Sequence, residues 1–154
     1  MIRLVMICCA AAALCWQSGL RAEEARTYYF QMICGSDRAL QLKGDVKAIG
    51  PKLRNQLENK FRWKNWAEIS RGKCMVATNL TASIKLPEKR EMQLNLVNSK
   101  TLEARLYRGK DLVRTTRENA NAESVIMGGD QGKDEAWFII IRRDKPSSID
   151  TAQK

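Results

Sequence analysis

The chain reads as mainly β (α+β): a small antiparallel β-sandwich or partly closed barrel with one short helix near residues 51–62. Three patterns predict it. From Leu80 onward, apolar residues alternate with polar ones in short runs, the period of strands buried on one face. Pro87-Glu88-Lys89, Asn98-Ser99 and Arg108-Gly109-Lys110 turn the chain between runs, which makes a meander. Between Pro51 and Phe61 the spacing lengthens to four, with Leu53, Leu57 and Phe61 forming one buried stripe on a solvated helix.

The first 22 residues have the pattern of a leader: Arg3 as charged region, Leu4 to Trp16 as apolar core, Gln17 to Ala22 as polar exit. That core is shorter than the ~20 residues a spanning helix needs, and no transmembrane segment is expected after it. Cleavage is expected after Ala22, with a cut near Gly19 as the alternative. Cys15 follows Ala-Ala-Leu, with no small residue just before it, so Cys8, Cys9 and Cys15 read as apolar members of the leader rather than lipidation sites. One β-rich domain should then span 23–145, and the polar, patternless 146–154 should be a frayed, disordered tail.

Within that domain, Tyr28 to Cys34 is aromatic and β-prone, and Gly35-Ser36-Asp37 ends it. Residues 36–50 read as a loop with a short extended piece around Leu40 and Leu42. Pro51 suits the first helical position, where its fixed φ is already helical and its missing N–H costs nothing. Phe61, Trp63 and Trp66 should anchor the helix on a sheet, each ring burying ~150–250 Å². Trp66 to Ser70 should be extended, with Arg71-Gly72-Lys73 a turn or bulge before Cys74 to Thr78. Three alternating runs follow, around Leu80–Leu86, Met92–Leu96 and Leu102–Leu106, then Asp111 to Arg117, whose exposed Thr and Arg suit an edge. Glu123 to Met127 and Ala136 to Arg143 form the last hairpin. Trp137 to Ile141 is apolar on both faces and should lie inside a sheet or between layers.

Of the 27 Lys and Arg residues, Arg3 and Arg21 leave with the leader, so the remaining 25 face 17 Asp and Glu. The excess is local, because nine basic and three acidic residues fall between Lys43 and Lys73. Lys52, Arg54, Lys60, Arg62 and Lys64, interleaved with Trp63 and Trp66, are therefore the candidate residues for an anion or a partner. The competing reading, which is preferred, is that the rings are core and the charges keep the helix wet.

Most chemistry is excluded. The chain has no histidine, so Ser-His-Asp and Cys-His nucleophiles and His-ligated metals are absent. Outside the leader only Cys34 and Cys74 remain, too few for a structural zinc site. They form either a disulfide, whose ~40-residue loop would contribute on the order of 4 kcal/mol, or two small buried apolar residues. Asp130, Asp134 and Glu135 cluster beside glycines but lack the ligand order of a calcium loop, and a solvated hairpin tip explains them better. The same stretch is not a phosphate loop, since no helix-forming segment follows and its lysine precedes Asp. Asn79-Leu80-Thr81 matches a glycosylation sequon. No catalytic residue, cofactor or metal is expected.

Phe61-Arg62-Trp63-Lys64-Asn65-Trp66 after a short helix, followed by strands, Gly128-Gly129 and the closing run Trp137 to Lys145, resembles a group of small exported bacterial proteins. The resemblance covers most of the chain after the leader, although the group more often carries tyrosine at the place of Trp66. It implies export and a compact β-rich domain, and it assigns no activity. The expectation is thus an exported envelope protein, periplasmic or secreted, that binds another envelope protein without catalysis. Two alternatives stand beside it: a binder of anionic lipid or polymer through 43–73, and an enzyme that works without histidine. Export makes nucleic acid the less accessible target.

Overall fold

A computed structural model describes residues 25–41, 45–130 and 134–146. The leader and residues 147–154 of the tail lie outside the described residues. The elements run β1 (Arg26–Ser36), β2 (Lys47–Ala48), α1 (Pro51–Glu58), β3 (Asn65–Val76), β4 (Thr81–Leu86), β5 (Arg90–Asn98), β6 (Thr101–Arg108), β7 (Asp111–Asn119), β8 (Val125–Asp130) and β9 (Glu135–Arg142). They form two antiparallel sheets, ordered β2-β3-β1-β9-β8 and β4-β5-β6-β7. Among the described residues the result is an open sandwich with one helix. Among the described residues no helix is long and apolar enough to cross a membrane.

Strand periodicity explains the main core. Tyr28, Phe30 and Met32 of β1 and Trp137, Ile139 and Ile141 of β9 face Met92, Leu94, Leu96, Leu102, Ala104 and Leu106 of the second sheet. Residues one step along, Ile33 on β1 and Phe138 and Ile140 on β9, point to the outer face of the first sheet. There Ile49, Leu53, Leu57, Trp63 and Trp66 cover them as a second core. That double coverage is why β9 is apolar on both faces, as its sequence predicts.

Several expectations are corrected. The helix ends at Glu58 rather than near 62, and Lys60 and Phe61 both donate their N–H to the Leu57 carbonyl. Trp63 lies six residues past Leu57, about 240° around a continued helix. It would then face away from the stripe, and ending the helix lets it reach the sheet. The short extended piece is Lys47–Ala48, paired with β3, whereas Leu40 belongs to no strand and Leu42 lies outside the described residues. Arg71-Gly72-Lys73 neither turns nor bulges: β3 runs straight through, with Gly72 opposite Phe30. A Cβ at Gly72 would sit 2.6 Å from the Phe30 ring, so this glycine makes room for an aromatic side chain. The extra residue in β3 is Ile69, because Met32 pairs with Ser70 and Ile33 with Glu68.

The disulfide is also corrected. Cys74 sits opposite Tyr28, whereas Cys34 sits opposite Ala67. Six residues of β1 separate these positions, ~20 Å at strand rise, against the ~7 Å limit between bridged Cα atoms. Both thiols are free, Cys34 buried and Cys74 half-buried.

Candidate functional site

The chain leaving α1 alternates sharply: Phe61 and Trp63 turn inward while Lys60, Arg62 and Lys64 turn outward. Phe61 lands on the outer face of the first sheet, 4.5 Å from the Phe138 ring centroid and 6.3 Å from that of Trp66. Trp66 lies 5.5 Å from Phe138, which closes the aromatic cluster. Gly128 on β8 makes room for it, since a Cβ there would come within 2.9 Å of Phe138.

Beside this cluster lies an open cleft of about 780 Å³, lined by Lys60, Phe61, Arg62, Trp63, Arg114, Ile126, Gly128, Ala136 and Phe138. Its floor is apolar and aromatic, and three cations reach it from two distant parts of the chain. Arg62 stacks its guanidinium 4.2 Å from the Trp63 ring centroid, an arrangement that holds the charge at the rim. Arg114 comes from β7 in the other sheet and pairs with Leu106, which places it on the sandwich-facing side of β7. Among the described residues no carboxylate lines the cleft. An anionic group would meet converging positive charge over apolar walls.

The residues predicted from sequence divide. Lys60, Arg62 and Trp63 line the cleft, but Trp63 and Trp66 are only 5% and 4% exposed and serve as core. Lys52 lies 3.9 Å from Glu123 in an exposed pair, a geometry worth ~0–1 kcal/mol. Arg54 and Lys64 are exposed and do not line the cleft. Arg114, Ile126, Gly128, Ala136 and Phe138 complete the site unpredicted. The one available signal was an arginine at an inward position of an edge strand, and it needs the register to be read.

Other polar clusters satisfy themselves. Glu68, buried on the outer face of the first sheet, accepts from Gln31 at 2.5 Å and from Arg71 through both its Nε and, at 2.8 Å, its Nη2. Glu103, buried on the outer face of the second, bonds Arg117 and Arg105 at 2.5 Å each. Two-sided pairing of this kind makes a buried carboxylate tolerable and leaves it little capacity for a ligand. Asp134 of the acidic hairpin tip pairs with Arg38 at 2.6 Å, Glu135 is exposed, and the side chain of Asp130 lies outside the described residues. Burial pushes the Cys34 and Cys74 thiols up to about 11, Cys34 with help from Glu135 and Glu88, so both are protonated near neutrality and poor nucleophiles.

No family model, curated protein or solved structure matches the chain.

Proposed function

We propose that the chain is an exported envelope protein acting as a noncatalytic interaction module, which holds an acidic segment of another protein in the cleft beside Phe61. One observation carries this reading: Lys60, Arg62 and Arg114 converge on an apolar, aromatic floor with no carboxylate among the described lining residues. Charge of one sign around low-dielectric walls attracts and orients an opposite charge. The described lining also offers no hydroxyl or thiol, which favours binding over turnover. Only Lys60 and Arg62 of the five cations singled out in the sequence line the cleft, a narrow footprint that favours a protein segment over a lipid or polymer surface. Export rests on the leader pattern of residues 1–22.

Short labelled peptides alternating Glu and Val, or Lys and Val, test this by fluorescence anisotropy, with anionic vesicles as a third ligand. The acidic peptide should bind and the basic one should not. Affinity should fall as salt rises to ~0.15 M, where screening acts over ~8 Å. Arg62→Glu should weaken binding about tenfold or more, as loss of a charge pair does. Equal binding of both peptides, or tighter binding to vesicles than to the acidic peptide, would overturn the proposal.

A further inference from the structure

The open edge of β7 runs past this cleft. Among the described residues β7 is the last strand of its sheet and pairs with β6 alone, so its far edge presents backbone groups that no described strand pairs. Its nine residues exceed the common strand length of about 5–6. Eight of the nine are exposed, including Leu112 at 54% and Val113 at 51%. Val113 is the extra residue of a bulge, since Leu106 pairs with Arg114 and Tyr107 with Leu112. An edge of this length, carrying exposed apolar side chains, is a template for a further strand.

Charge selects the occupant. β7 itself is balanced, Arg114 and Arg117 against Asp111 and Glu118, so the selecting charge is that of the cleft, where Lys60, Arg62 and Arg114 converge with no carboxylate among the described lining residues. An acidic segment answers that charge, whereas a second copy of a chain with a formal net charge of +10 does not. Side chains of an added strand alternate between the two faces of the sheet, and one of those faces is the one Arg114 shares with the cleft. Glu118 lies on that same face four residues further on, which repels acid at the far end and sets the position of the favoured carboxylate.

Building on the acidic-partner reading above, we infer that β7 accepts an extended acidic segment of a partner protein as an added strand, with one carboxylate side chain seated among Lys60, Arg62 and Arg114. Main-chain hydrogen bonds to β7 supply affinity, and the cleft supplies selection for acid. The segment carries its acid beside Arg114 and a neutral residue beside Glu118.

Hydrogen exchange of the full chain with a Val/Thr peptide bearing a single central Glu tests this, together with a copy of that peptide N-methylated at alternate backbone amides. Binding should slow exchange across Asp111–Asn119, and the methylated copy should bind about tenfold or more weakly at unchanged charge, through lost strand hydrogen bonds. Arg114→Glu should weaken the unmethylated peptide, and Arg114→Lys should largely restore it. If the methylated copy binds as well and β7 gains no protection while Arg62→Glu still weakens both, strand addition is wrong and the acidic cleft stands. If neither peptide binds, both ideas fall. A dimer in sedimentation, with β7 protected before any peptide is added, would assign the edge to a second copy and overturn the inference.

Discussion

β4 and β7 are the two edges of one sheet, yet they meet the opposite sheet in different ways. β4 turns Ala82, Ile84 and Leu86 toward the core, and its neighbour β3 packs alongside it. The link at 77–80 closes that side, with Asn79 in the left-handed region donating to the Leu96 carbonyl and Thr78 bridging Leu96. β7 instead places Arg114, Thr116 and Glu118 on the face that Leu106, Ala104 and Leu102 bury one strand earlier. Closing the sandwich over those groups would desolvate them without partners, a cost of several kcal/mol. The link at 120–124 joins β7 to β8, and in it Ala120 donates to the Lys100 carbonyl and accepts from the Tyr28 hydroxyl. Apolar inner positions seal an edge, and polar ones leave it open.

The largest expected effect sets the two edges directly against each other. Leu86→Ala on β4, a buried position, should cost ~2–5 kcal/mol of unfolding free energy. Leu112→Ala on β7 should stay within ~0.5 kcal/mol while weakening peptide binding. Equal losses in denaturant melts would show that β7 is as integrated as β4. Leu57→Ala, on the buried stripe of α1, should match Leu86→Ala and leave the β7 edge untouched.

Gly128→Ala comes next, at ~1–3 kcal/mol, because its methyl would press on Phe138 and shift the cleft floor. A variant of unchanged stability and unchanged peptide affinity would separate β8 from the site.

Two smaller effects concern the sealed side. Glu88 and Lys89, in the turn joining β4 to β5, both have positive φ, so Lys89→Gly should stabilise by about 0.5–1 kcal/mol by relieving a side-chain clash. A lower melting temperature would place more value on the lysine than on the strain. Cys34 and Cys74 have folded-state values near 11 against an ordinary 9.0, so the unfolded chain ionises first. Their contribution is whole below pH 9 and is lost as pH rises to about 11. The double Cys→Ala variant should therefore lose less stability than the parent across that window; an identical slope would assign the loss to other groups.

Much of the fold was legible because burial imposes a period. The meander from β4 to β7, the β8–β9 hairpin and the Leu53–Leu57 stripe all follow from which residues must leave water. Arg71-Gly72-Lys73 misled because glycine beside charge reads as a turn, whereas the space it provides is used by Phe30 on another strand. The cysteines misled for a similar reason: two thiols after a leader pattern suggest a bridge, and only the register shows Cys34 and Cys74 about six residues apart along β1. At the site, Lys60, Arg62 and Trp63 were visible as a local basic, aromatic segment, while Arg114 was hidden among ordinary edge-strand polar residues.

The sequence by itself determined the local quantities: strand and helix periods, the turns between β4 and β7, the absence of histidine chemistry and the excess of positive charge. Each depends on composition or on neighbours within a few residues. Only the tertiary structure decided which edge stays open, which glycines yield to rings, and that Arg114 joins a cleft begun far earlier in the chain at Lys60 and Arg62. Those outcomes depend on register and sheet order, where a shift of one residue moves a side chain to the opposite face.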